Sequence, residues 1–290
     1  MRHLEIAARG DALVGEGPVW VSSERRLYWI DVKGQKIFCL DPLTGARHTW
    51  DCPQRIGAIA PRATGGFAAV LKSGLYLSDG EPEHWRPLAD PEAHLHGNRF
   101  NDGKCDARGR LWAGTMDDDE QRVSGSLYRF DASGGWTKMR GDIHLSNGLG
   151  WSPDGGTFYF TDTLRRTILA FDFDTDDGEL SRERTFVIVP DSDGYPDGLA
   201  VDTDGCVWSA HWGGSRLTRY APDGRIVETL NMPVPKPSSC AFGGDGLREL
   251  FITSASIGLS EKERVQAPDS GSLFVLDAGV AGVLVMPFSG

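Results

Sequence analysis

Cysteine is scarce and shows no pairing pattern. The five present, Cys39, Cys52, Cys105, Cys206 and Cys240, are odd in number and form no C-x-x-C motif. That argues against a disulfide framework or a thiolate zinc site, and free thiols in a reducing compartment are the expectation. No stretch approaches the ~18 consecutive apolar residues of a membrane span. The first ten residues carry charges throughout and lack the apolar centre of a signal peptide. A soluble, cytoplasmic protein without a membrane partner is expected. Lys and Arg are scattered with no basic run, and the formal net charge is -11 at pH 7. A nucleic-acid partner needs a concentrated positive face, so none is expected. The acid excess by itself fits solubility; a cation-binding cavity would need specific carboxylates.

Familiar catalytic signatures are missing too. No G-x-S-x-G elbow supports a serine esterase, and neither H-E-x-x-H nor a phosphate-cradling G-x-x-x-x-G-K-[ST] loop is found. What is abundant is glycine, at 37 residues, together with nine tryptophans and thirteen phenylalanines. That mixture suits many short strands joined by tight turns better than long helices. The length of 290 residues is ordinary for one closed all-β domain and ample for a large core.

The chain repeats itself weakly. The segments NDGKCDARGRLWAGTM from Asn101, NGLGWSPDGGTFYFTDT from Asn147 and DGLAVDTDGCVWSAHW from Asp197 share one grammar. A polar residue leads, a short apolar stretch follows, then a glycine turn, then an aromatic-rich strand. Two strands about a tight glycine turn make a β-hairpin. The same grammar begins at Glu16, Ile56 and Ser238. Six units spaced by about 40 to 50 residues match the four-stranded blades of a propeller. Further strands are predicted at 126–130, 168–172 and 216–220, and a helical turn within 260–269. Segments 4–8 and 273–276 are expected to share a blade and close the ring, removing exposed strand edges. The sequence thus predicts one domain over 1–290, all-β, a six-bladed β-propeller with a central metal-binding channel.

The innermost strand of each blade lines the channel, so equivalent positions converge on one axis. The leading positions are Glu16, Ile56, Asn101, Asn147, Asp197 and Ser238. Asx before Gly is ordinary turn chemistry at any single site. Glu, Asn, Asn and Asp at one offset in four units point instead to a shared site, because buried polar groups are costly unless paired. Oxygen-only ligation suits Ca²⁺, Mg²⁺ or Mn²⁺, and Zn²⁺ is also accommodated.

Five segments, GEGPVW at 15–20, RFNDGK at 99–104, GRLWAGTM at 109–116, SNGLGWSPDG at 146–155 and YPDGLAVD at 195–202, resemble the senescence-marker-protein/gluconolactonase/luciferin-regenerating family. They run in order across nearly the whole chain. The resemblance implies a six-bladed propeller with one divalent metal held by Glu16, Asn147 and Asp197. It also implies that Arg99 and Asn101 contact substrate. An acidic substrate-contacting position falls in the loop after Met116, with Asp119 the best match among Asp117, Asp118, Asp119 and Glu120.

A lactone is a cyclic ester, and its hydrolysis needs an activated water and a polarised carbonyl. A bound divalent ion supplies Lewis acidity, Asp197 is the candidate general base, and Arg99 and Asn101 are placed to orient the sugar. The expectation is a monomer or weak homo-oligomer that hydrolyses a small-molecule sugar lactone, of gluconolactone, xylonolactone, arabinolactone or galactonolactone type. Two alternatives stand beside it. One is a non-catalytic propeller serving as an interaction module; the other is an aryl-ester or phosphotriester hydrolase. His96, His144 and His211 read as structural or surface histidines, and the tryptophans as packing between blades.

Overall fold

A computed structural model describes residues 3–10 and 12–290. Among these, twenty-four strands form six four-stranded sheets. Five sheets are simple meanders, the first running through Gly15–Val21, Arg26–Asp31, Lys36–Leu40 and Arg47–Asp51. The innermost strands are Gly15–Val21, Ile56–Pro61, Asn98–Cys105, Ser146–Trp151, Tyr195–Val201 and Pro237–Gly243. Each touches the next, and the last touches the first. The molecule is a closed six-bladed propeller, as the repeat predicts. The sixth sheet joins both ends of the chain. Glu5–Ala8 pairs antiparallel with Leu273–Asp277, with Ile6 opposite Phe274, so the expected closure is observed. The predicted strands appear as Gly125–Phe130, Thr167–Phe173 and Arg216–Tyr220. The predicted helical turn is the helix Glu261–Gln266, started by a capping box between Ser260 and Glu263.

The core lies between blades rather than within one. Each middle strand is buried on both faces, so its alternating side chains serve two interfaces. In Thr157–Asp162, Phe158 and Phe160 pack with Trp112 against the third blade, whereas Tyr159 packs with Leu199 and Val201 against the fifth. Trp112 and Trp208 are fully enclosed, in line with the expected inter-blade packing. A buried indole needs a partner for its N–H, and two hairpin turns supply one. Asp106 Oδ2 accepts from Trp112 Nε1 at 2.8 Å, and Asp202 Oδ2 accepts from Trp208 Nε1 at 2.8 Å. The other oxygen of each carboxylate accepts backbone N–H groups of its own turn.

The inner strands all begin at one end of the channel, where the turns between second and third strands also lie. The opposite end is crossed by the C-terminal segment. Val283 N–H donates to Val201 O, and Phe288 N–H to Pro61 O. Phe288 itself is buried between the second and third blades.

Candidate metal centre and active site

Each inner strand carries a register irregularity at the same place. The breaks fall between Glu16 and Val19, Ile56 and Ala58, Phe100 and Asp102, Asn147 and Leu149, Pro196 and Leu199, and Pro237 and Cys240. Every leading position of the repeat therefore sits in or beside a β-bulge. A bulge re-aims a side chain that would otherwise follow the strand's alternation. Close approach of the strands depends on glycine. Gly148 has φ +24°, and a Cβ there would lie 2.6 Å from the Asp197 carbonyl oxygen.

Glu16, Asn147 and Asp197 are all buried, and the two carboxylates lie close enough to repel one another. Burial, followed by repulsion from Glu16 and Asp102, holds the Asp197 carboxyl well above its usual range. Burial and then Asp102 push Glu16 up to about 8, although the Gly17 N–H and Ser239 hydroxyl oppose this. Asp102 rises to about 6 by burial, held back mainly by Lys104. Three carboxylates thus share one poorly hydrated space with one lysine. Lys104 is tied down by a 2.8 Å bond from Nζ to the Leu199 carbonyl.

Two further atoms test whether a cation fits here. Asn147 Oδ1 and Asp197 Oδ1 are buried acceptors without a hydrogen-bond donor. Asn147 Nδ2, in contrast, donates to Thr163 Oγ1 at 3.1 Å, which fixes which end of the amide is unpaired. Buried acceptors without donors are rare, and clustered carboxylates with raised pKa values call for positive charge. Two carboxylates and an amide oxygen therefore fit a hard divalent cation. Among the described residues no group of three His, Cys, Asp or Glu side chains is arranged as a metal cluster; the set here includes an amide.

The polar rim continues from this centre. Asn101 Nδ2 donates to the Ser146 carbonyl at 2.8 Å, and Asn101 Oδ1 accepts from Arg99 Nη1 at 2.6 Å. Arg99 Nε donates to Asp118 Oδ1 at 2.9 Å. Arg99 and Asn101 are thus linked to the residue preceding Asn147. In the acidic loop the structure distinguishes Asp118 from Asp119. Asp118 is the carboxylate that meets Arg99, whereas Asp119 is exposed and its carbonyl accepts from Gln121. The turn explains this: Asp117 is held by Arg122 and by the N–H groups of Gln121 and Arg122, so the loop curls away after Asp118. His211 is a structural histidine, with Nδ1 2.9 Å from the Asp193 carbonyl. His96 is exposed. His144, three residues before Asn147, has a buried Nε2 without a partner. Below the carboxylates the channel opens into a cavity of about 140 Å³, bordered by Asp102, Lys104 and Cys240 and by Val283 of the C-terminal segment.

The family model described as "SMP-30/Gluconolactonase/LRE-like region" matches residues 14–256. The chain belongs to this family. Among its SMP-30/gluconolactonase relatives, a 6-deoxy-6-sulfogluconolactonase of Pseudomonas putida is 37% identical over 287 residues, covering 99% of both chains. A putative sugar lactone lactonase, YvrE, of Bacillus subtilis (strain 168) is 32% identical over 280 residues, covering 96% of both. A solved family structure, a calcium-binding regucalcin from Agrobacterium tumefaciens, superposes with a TM-score of 0.92 at 27% identity, covering 99% of this chain and 97% of the other. The family resemblance carried by GEGPVW, RFNDGK, SNGLGWSPDG and YPDGLAVD agrees with these matches.

Proposed function

We propose that this chain is a lactonase that opens sugar lactones to aldonic acids with one divalent cation held by Glu16, Asn147 and Asp197. The observation that carries this reading is the pair of buried, unpaired oxygens, Asn147 Oδ1 and Asp197 Oδ1, beside the Glu16 carboxylate. A cation held there would supply Lewis acidity to the lactone carbonyl and would lower the pKa of a nearby water. Asp197 then takes the proton from the attacking water, while the carbonyl carbon gains the new C–O bond. Ring opening breaks the bond to the ring oxygen, and the proton held by Asp197 is delivered to it. Arg99, fixed by Asp118 and Asn101, has further N–H groups with which to hold sugar hydroxyls. Asn101, braced on the Ser146 carbonyl, orients the same face of the sugar.

The names of two relatives support the substrate class, since both are described as lactonases. A panel of gluconolactone, xylonolactone, arabinolactone, galactonolactone and a sulfonated gluconolactone, read with a pH indicator beside an aryl ester and a phosphotriester, tests it. Acid release from at least one sugar lactone, at a rate well above that with the aryl ester, is expected. Turnover confined to the aryl ester or phosphotriester would reject it.

A further inference from the structure

We propose that the channel mouth between the first and third blades is an anion subsite. It would select lactones that carry a sulfonate, phosphate or carboxylate group away from the lactone carbonyl. This rests on the lactonase reading and names its substrate class more closely.

Three cations from separate blade segments meet on one carboxylate at this mouth, and a fourth, Lys33, stands in their field. Lys33 lies in the turn between Arg26–Asp31 and Lys36–Leu40, and Arg55 immediately precedes Ile56–Pro61. Lys72 lies in the turn between Phe67–Leu71 and Gly74–Ser78, and Arg99 is on Asn98–Cys105. One carboxylate, Asp118, accepts from three of them. Its Oδ1 takes Arg99 Nε and Arg55 Nη1, and its Oδ2 takes Lys72 Nζ at 3.0 Å. Lys33 has no hydrogen bond or ion pair to any described residue. Burial first, and then the fields of Arg55 and Arg99, hold its ammonium below the usual range, opposed by Asp118 and Glu120. Four cations against Asp118, Glu120 and Asp90 still leave an excess of positive charge at a partly buried site. Such crowding is relieved by an anion.

The chemistry of the donors narrows the ligand. Lys and Arg offer N–H donors and no acceptors. A sugar hydroxyl both donates and accepts, whereas an anion presents oxygens that only accept. Arg99 links this wall to Asn101, and through it to the strand carrying Asn147, so one sugar can span both regions. A cavity of about 200 Å³ has Lys72 and Arg99 in its wall. Two acids share that wall: Glu92 has its carboxylate taken up by Asn98, Thr115 and Tyr128, and Asp90 Oδ1 accepts the Glu92 N–H at 3.0 Å.

The test compares kcat/KM of the metal-loaded full chain on gluconolactone with that on its 6-sulfo, 6-phospho and 6-carboxyl counterparts. At least one anionic lactone should exceed the neutral one by about tenfold, the size of one hydrogen bond to a charged group. That advantage should shrink between ~0.01 M and ~0.15 M salt as the Debye length shortens. Lys33→Gln and Lys72→Gln should each lower the anionic-to-neutral ratio, and Lys33→Arg should preserve it. Neutral turnover equal to or better than that of all three anionic lactones would overturn the subsite and leave the lactonase reading intact. No turnover of any lactone would instead sink the lactonase reading. In that event, calorimetry with the sulfo, phospho and carboxyl acids against gluconate decides the subsite: tighter binding of an anionic acid supports it, and equal binding overturns it.

Discussion

Asn147 and Thr163 form a pair in which the amide nitrogen donates to the hydroxyl at 3.1 Å, so the amide oxygen is the end without a donor. That one bond decides whether the amide offers an acceptor or a donor to a cation. Partners that orient a metal ligand commonly account for 10–100-fold in affinity.

Thr163→Val should therefore weaken divalent-metal binding by about ten- to a hundredfold, with an unchanged far-UV spectrum. Titrating chelator-treated protein with Ca²⁺, Mn²⁺ and Zn²⁺ measures it, and Thr163→Ser should restore affinity. Unchanged affinity in Thr163→Val would remove Thr163 from the positioning role.

Metal binding should be coupled to protons. Glu16 is pushed up to about 8 from 4.5, and Asp197 is also raised. A carboxyl raised in the folded state binds protons more tightly there than in the unfolded chain. In metal-free protein its favourable contribution is full below about 4.5 and is lost as pH rises toward about 8. A cation competes with those protons. The gain in Tm on adding metal should grow from pH 5 to pH 8, with protons released on binding. A gain independent of pH would contradict the burial of these carboxylates beside a cation.

Asp197→Asn would keep an oxygen for the proposed cation but delete the proposed proton acceptor. At saturating metal, with occupancy measured, kcat should fall by about 10² to 10⁴, the usual contribution of a positioned base. Asn147→Asp, which alters ligation without deleting a base, is the comparison. Near-normal kcat in fully loaded Asp197→Asn would mean that another group accepts the proton.

Asp106→Ala should destabilise the fold by about 1–3 kcal/mol, because the fully enclosed Trp112 N–H would lose its partner. Equilibrium denaturation measures it. Lactone turnover per folded molecule should be retained, since this turn lies at the opposite end of the inner strand from Arg99.

The architecture was legible because the hairpins repeat one grammar: a tight turn and an aromatic strand recur from Glu16 to Ser238, with a polar leading residue in every unit but that of Ile56. Closure by Glu5–Ala8 against Leu273–Asp277 was legible from two unpartnered apolar segments. The bulges were not, because an extra residue leaves no compositional mark; they emerge only when Glu16 and Val19 are seen on opposite sides of a register break. The loop after Met116 also defeats counting. Asp117, Asp118, Asp119 and Glu120 are interchangeable as letters, and only the folded loop, with Arg122 clamped on Asp117, shows that it is Asp118 that meets Arg99. Lys33, Arg55 and Lys72 are ordinary surface cations in sequence, and only the packing of consecutive blades brings Arg55 and Lys72 onto Asp118 with Lys33 in their field. Asp106 and Asp202 look like turn residues; their hold on the tryptophans six positions later needs the folded hairpin.

The central claim is that the unpaired oxygens of Asn147 and Asp197, with Glu16, hold the cation that lactone hydrolysis requires. Lactone turnover of protein stripped by a chelator, with metal content measured on the same sample, tests it most directly. The account predicts loss of turnover in the stripped protein, recovery on adding a divalent ion, and no recovery in a Glu16→Gln/Asp197→Asn double variant. Full turnover by protein shown to contain no metal would contradict it.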